Sequence, residues 1–289
     1  MKVHRYFEGW YFKQQGKDGT VALIPALHVD ARGNKSASVQ IVTDSESFHF
    51  DMPWEALKAD RKNLNIHVGD SVFSASGIHF KLIQNGVIAS GDITFGALAT
   101  LKSDIMGPFR FAPLMECRHS VFSMVHEVNG NLQVHGKNYT FCNELGYIEG
   151  DRGRSFPKRY AWTQCAWRED KPCSIMVSVA DIPYMGVSFT GIIACVYMND
   201  REYRLATYGG ARPVLIGKGE VIIRQGKYTL SARRLDEGGM LLRAPVGGGM
   251  TRMIREAPAC KVHYRFLYGS ETLLDKTLDH AGFEYEYDQ

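Results

Sequence analysis

Apolar and polar residues alternate with a period of two along most of this chain. KVHYRFLY at 261–268 puts Val262, Tyr264, Phe266 and Tyr268 on one face, with Lys261, His263 and Arg265 on the other. GFEYEYD at 282–288 sets Phe283, Tyr285 and Tyr287 against Glu284, Glu286 and Asp288, and NLNIHV at 63–68 sets Leu64, Ile66 and Val68 against Asn63, Asn65 and His67. Alternate side chains of a strand point to opposite faces, so these runs predict half-buried antiparallel strands. Turn signals punctuate them: QNGV at 84–87, VNGN at 128–131 and DEGG at 236–239, with Asn-Gly the strongest short hairpin signal. One stretch departs. PWEALKAD at 53–60 predicts a helix, with Asp51 as a cap and Pro53 in the first turn. Many short strands joined by regular turns give an all-β fold of barrel or sandwich type.

The pattern echoes itself. Trp10 precedes by eleven residues Val21, which opens VALIPAL, and Trp162 precedes by eleven Cys173, which opens CSIMVSVA. Two similar β domains explain this; shared hairpin grammar explains it equally well. The length of 289 residues suits two domains, taken here as 1–150 and 151–289. That boundary places the segment around 147–158 at a domain interface, a preferred place for ligand sites.

Composition narrows the class. A formal charge of +3, from 34 basic and 31 acidic residues that are scattered, gives no nucleic-acid footprint. No apolar run approaches the ~18 residues of a membrane span, and MKVHRYFEGWYFKQQ reads as a strand from its start rather than a signal peptide. The expectation is a cytoplasmic chain without an integral membrane segment. The six cysteines form no C-x-x-C and are expected to be small buried hydrophobes. His28 and Asp30 share a strand face without a third ligand, and no metal or other cofactor is expected.

The segment YIEGDRGRSFPKRYAWTQC at 147–165 carries the candidate chemistry. On an extended backbone Tyr147, Glu149 and Asp151 share one face at ~7 Å intervals. A carboxyl in such company tends to keep its proton, which is what general acid catalysis needs near neutral pH. The alternative is structural pairing of these carboxylates with Arg152, Arg154 or Arg159. Tyr160, Trp162 and Gln164 follow on one strand face, either lining a ligand cavity or forming core. Glu116 and His119 form an acid–base pair if the chain turns between them, whereas His119 and His126, seven apart, point to opposite faces of a regular strand. Trp10, in EGW, reads as the plug of a barrel floor.

The pattern YxExxxGxSFPxxYxWxQC resembles the signature of the tocopherol cyclase family, related to carotenoid 1,2-hydratases and other two-domain lipocalin-like proteins. FEGWYFK at 7–13, IMGPFRFAPLMECRHSVFSMVHEVNG at 105–130, LLRAP at 241–245, MTRMIRE at 250–256 and AGFE at 281–284 extend the resemblance over nearly the whole chain. It implies two lipocalin-like antiparallel β-barrel or sandwich domains with a ligand cleft at or between them. It implies an isomerase-class, intramolecular-lyase chemistry without a cofactor: protonation of an isoprenoid double bond, then capture of the cation by a phenol oxygen, or by water in hydratases. The site is then Glu149, Asp151 and Tyr147 for catalysis, with Trp10, Arg152, Tyr160, Trp162, Glu116, His119 and His126 around a hydrophobic small molecule. A carrier or sensor that binds without turnover is the alternative. One departure matters: the family carries Asn-Trp-Gly where this chain has Asp151-Arg152-Gly153. A guanidinium ~4 Å from a forming cation opposes it by ~4 kcal/mol at an effective dielectric of ~20, so an anionic or more polar ligand, or an isomerisation without a free cation, is expected.

Overall fold

The computed structural model describes residues 5–113, 115–184 and 186–287. Two antiparallel sheets account for nearly all of them. The first holds β1 (Tyr6–Gly16), β2 (Gly19–Val29), β3 (Lys35–Thr43), β4 (Ser47–Met52), β5 (Leu57–Asp60), β6 (Asn65–Val68), β7 (Ser71–Ser74), β8 (Gly77–Gln84), β9 (Val87–Phe95), β10 (Cys117–Val134) and β11 (Lys137–Gly153). The second holds β12 (Tyr160–Arg168), β13 (Pro172–Tyr184), β14 (Val187–Met198), β15 (Arg201–Ala206), β16 (Arg212–Gly217), β17 (Glu220–Gln225), β18 (Tyr228–Arg234), β19 (Met240–Val246), β20 (Gly249–Tyr268) and β21 (Glu271–Tyr285).

Both sheets follow one plan. The chain walks outward from the first strand, crosses to the far edge, and walks back until the last strand pairs with the first: β11 with β1, and β21 with β12. The first sheet curls back on itself, bringing β4 against β8. The change of sheet falls at residues 154–159. The Trp10 and Trp162 hairpins open their respective sheets, yet the two tryptophans are not equivalent. Trp10 packs into the first core with Phe12 and Ile148, whereas Trp162 faces the other sheet with Tyr11, Tyr147 and Tyr160. A one-residue offset exchanges the two faces of a strand.

Half-burial fails where the sheets meet. In β1, Trp10 and Phe12 enter the first core, while Tyr11 and Lys13 face the second sheet and are equally buried. In β12, Ala161 and Cys165 enter the second core, and Tyr160, Trp162 and Gln164 face the first sheet. The end of β21 behaves likewise: Glu284 is buried although it alternates with Phe283, and Glu286, just past the strand, is as buried as Phe283. Asp288 and residues 1–4 lie outside the described residues.

Two local expectations are corrected. Residues 53–60 form a single 3-10 turn at Trp54–Ala56 that passes directly into β5, because pairing of Leu57–Asp60 with β6 satisfies the backbone better than one isolated helical turn. Asn129-Gly130 is a bulge inside β10 rather than a hairpin. Gly130, at φ +127°, crosses so close to β9 that a Cβ would lie 2.2 Å from the Asp92 carbonyl. Asn85-Gly86 does form the expected tight turn, with both residues left-handed. Four cysteines are buried, Cys117 is half-buried and Cys142 is exposed; all six are free. Among the described residues no helix is long and apolar enough to cross a membrane.

Candidate functional site

The inward faces of the two sheets enclose a cavity of about 180 Å³. An apolar cavity near 150 Å³ accepts benzene, so a substituted ring fits this one without rearrangement. Its walls are mostly apolar, with Phe7, Trp10 and Tyr11 from β1 and Trp162 and Ala180 from β12 and β13. Residues 96–113 and 115–116, between β9 and β10, form a strap over it, contributing Met106, Phe109 and Met115. Arg204 of β15 clamps the strap through the carbonyls of Ser103 and Asp104 (2.8 Å each). The Tyr208 hydroxyl donates to the Ile105 carbonyl at 3.0 Å. Gly107 is needed there: it takes φ +53°, and a Cβ would meet the Tyr208 ring at 2.7 Å.

The period of two sets the acidic wall as expected. Tyr147, Glu149 and Asp151 project from one face of β11 towards the second sheet. Glu149 is 6% exposed and lines the cavity. Its Oε2 accepts from the Tyr147 hydroxyl at 2.5 Å and from Trp162 Nε1 at 3.2 Å, which leaves Oε1 available to a ligand. Burial and the adjacent Glu149 push the Tyr147 hydroxyl well above its ordinary pKa, so it acts as a donor. β10 brings His119 opposite Asp151. His119 Nδ1 lies 3.1 Å from Asp151 Oδ1 and Nε2 lies 3.3 Å from Glu149 Oε2, the latter off the line of a hydrogen bond. Burial opposes charge on this imidazole, but Asp151 and Glu149 together outweigh it and hold its pKa well above the ordinary value. Cys117 Sγ also meets Asp151, at 3.4 Å. Among the described residues these carboxylates ion-pair with His119; Arg159 pairs with Asp181 instead, at 3.4 Å.

His119, Glu149 and Asp151 are also the group whose ligand-type atoms cluster within 4.8 Å among the described residues. With both ring nitrogens turned to carboxylates that hold its pKa well above the ordinary value, His119 favours the imidazolium form, in which neither nitrogen offers a lone pair. The arrangement suits proton transfer better than coordination.

Other anticipated residues are placed differently. Trp10, Tyr160 and Trp162 line the cavity. Arg152 sits on the opposite face of β11, exposed and across from Glu8 and Arg118, because a strand turns successive side chains to opposite sides. The cost assigned to a guanidinium beside a forming cation therefore does not arise, nor does the case for an anionic ligand. Glu116 lies outside the cavity lining; its carbonyl accepts from Arg154 N at 2.7 Å, and His119 pairs with β11 in its place. His126 is buried over Gly146, against Phe95 and the Ser123 hydroxyl, away from the cavity. His28 does reach the lining and bonds Ser38 Oγ at 3.0 Å, while Asp30 closes an exposed turn with Asn34.

Sequence reasoning missed Tyr11, Lys13, Glu256 and Glu284. Tyr11 is the β1 partner of Glu149 and donates to Glu256 Oε1 at 2.6 Å. Tyr160 donates to Glu284 Oε2 at 2.5 Å. Lys13 is fully enclosed and donates to Gln164 Oε1 at 3.1 Å and the His280 carbonyl at 2.7 Å; burial lowers its pKa. The available signal was that two family-like blocks, MTRMIRE and AGFE, each end in a glutamate.

Buried imidazoles give a stability prediction. Burial depresses His126 to about 3, so it is neutral in the fold yet protonates below 6.5 when unfolded. Its contribution is complete above pH 6.5 and is lost as pH falls towards 3. The stability gap between wild type and His126→Gln should close by ~1.4 kcal/mol per pH unit in that window, measured as urea midpoints at pH 7 and pH 4.5. Other titrating groups cancel in the comparison. A gap that stays constant refutes the buried neutral histidine.

The fold has solved counterparts. Kievitone hydratase from Nectria haematococca superposes with a TM-score of 0.57 at 10% identity, covering 99% of this chain and 90% of that one. CghA with Sch210972 gives 0.61 at 10% identity over 99% and 89%. A putative AttH from Nitrosomonas europaea gives 0.55 at 8% identity over 99% and 93%. At such identities these likenesses establish the all-β, lipocalin-like fold. No curated protein matches the chain by sequence. The tocopherol cyclase-like family profile matches residues 88–285, a span that contains the strap, the acidic wall of β11, the aromatic face of β12 and both buried glutamates. The chain belongs to the tocopherol cyclase-like family.

Proposed function

We propose that this chain is a cofactor-free cyclase of the intramolecular-lyase type, closing a ring in a hydrophobic small molecule that carries both an alkene and a hydroxyl group. The observation that carries this reading is Glu149: a cavity-lining carboxyl with Oε2 held by Tyr147 and Trp162 and a charged His119–Asp151 pair behind it. Glu149 is the residue that exchanges a proton with the bound molecule. Tyr147 and Trp162 fix its rotamer, so no reorganisation accompanies the transfer. The His119 imidazolium balances the charge that the Glu149 carboxylate carries before the transfer. The apolar walls exclude water and hold alkene and hydroxyl in contact. Membership of a cyclase-like family supports the reading, and so does fold-level analogy to a hydratase, in which water takes the place of the internal hydroxyl. Six free cysteines suit a reducing cytoplasm.

A geranylated hydroquinone is a suitable first probe. Incubated with the full chain and followed by liquid chromatography–mass spectrometry, it should give a product of unchanged mass that has lost one phenol. Probe that binds, seen by native mass spectrometry, but is recovered intact at every pH would favour a carrier over a catalyst.

A further inference from the structure

The carboxyl groups on β20 and β21 have no part in the reading above. Glu256 and Glu284 are direct cross-strand partners, 0% and 9% exposed, on the face turned to the cavity. Like charges directly opposite on neighbouring strands repel, and neither glutamate has a Lys, Arg or His ion-pair partner among the described residues. One shared proton removes the conflict. Each carboxyl has one oxygen capped by a tyrosine hydroxyl, Tyr11 for Glu256 and Tyr160 for Glu284. Glu256 Oε2 is buried without any hydrogen-bond partner. A fully enclosed oxygen of a cavity-lining carboxyl, left unpaired, costs free energy unless a proton or a ligand completes it.

We propose that Glu256 and Glu284 form a second proton-transfer site, with the carboxyl pair handing a proton to the bound substrate and Glu149 receiving one from it. This assignment of direction rests on the cyclisation reading; the shared proton does not. Burial pushes Glu256 up to about 7, against the opposing effects of Tyr11 and Lys13, with Glu149 reinforcing the rise. Burial and Glu256 push Glu284 well above the carboxylate range, Tyr160 opposing and Glu149 and Glu286 reinforcing. Glu286 is itself paired with Arg252 at 2.7 Å. The pair therefore holds a proton at neutral pH, as a general acid must.

The step balances without a co-reactant. The O–H bond of the Glu256–Glu284 pair breaks as the alkene π pair forms a C–H bond at the less substituted carbon. The tertiary cation takes a lone pair from the substrate hydroxyl oxygen, closing the ring. That oxygen's proton passes to Glu149 Oε1. The pair ends one proton short and Glu149 one proton ahead, and exchange with solvent after product release restores both.

Infrared titration of the full chain between pH 5 and pH 9 tests the shared proton without any substrate. A neutral-carboxyl carbonyl band should be present at pH 6 and fade with a midpoint near 7, and it should be missing in Glu256→Gln and Glu284→Gln. A wild type with no such band at pH 6 overturns the proposal. With the geranylated hydroquinone, Glu256→Gln should lower kcat by about 100-fold or more with little change in KM. An unchanged kcat also overturns it. A wild type that never turns over the probe counts against the cyclisation reading alone, and the infrared band then decides the carboxyl pair by itself.

Discussion

Glu149→Gln is expected to lower kcat for the geranylated hydroquinone by about 10²–10⁴-fold, the usual span for loss of a positioned general acid or base. The substitution is nearly isosteric. An amide oxygen still accepts from Tyr147 and Trp162, the two donors that now hold Oε2, so the wall keeps its shape while the proton-exchanging carboxyl is gone. His119 keeps Asp151 at 3.1 Å as a counter-charge. The loss should therefore fall on kcat, with KM within a few-fold of wild type, since the apolar walls that bind the ligand are unchanged. Measuring both constants alongside a thermal melt separates chemistry from folding. A folded variant with wild-type kcat would remove Glu149 from the mechanism.

Trp10→Ala should destabilise the protein by about 3–5 kcal/mol, the range for truncating a buried large aromatic. Trp10 is 2% exposed and packs in the first core with Phe12 and Ile148, at the edge of the ligand cavity. Its neighbours cannot collapse onto the void. Gly150 beside it already sits so tightly that a Cβ would lie 2.9 Å from the Gly9 carbonyl, and β1 is pinned on both sides by β2 and β11. A fall in Tm of about 10 °C corresponds to that loss in a domain of this size. A loss under 1 kcal/mol would mean that Trp10 serves the ligand rather than the core.

The two expectations that the structure altered most share one cause. Arg152 was weighed as a cavity residue because it stands where the family pattern has a tryptophan, yet the strand's own alternation, the same rule that grouped Tyr147, Glu149 and Asp151, sends it outward. The glutamates of β21 were read as the polar side of a half-buried strand. Alternation says that Glu284 and Phe283 face opposite ways; it does not say that both ways lead indoors. Only a second layer makes the polar face of a strand an interior, and residues 6–29, 145–150, 160–167 and 281–284 are among the stretches where that layer arrives.

From the sequence alone came the strands, the sharing of one face by Tyr147, Glu149 and Asp151, and the aromatic run of Tyr160 and Trp162, because the side-chain period of an extended chain is local geometry. Tertiary structure alone chose the partners. His119 reaches Asp151 through a bulged antiparallel register, and Trp162 reaches Glu149 across the gap between sheets. Glu256 and Glu284 close the same cavity from strands more than a hundred residues further along the chain. Those meetings depend on how two sheets of similar plan stack, and no short-range pattern encodes the stacking, because the free energy that fixes it is the burial of both inner faces at once.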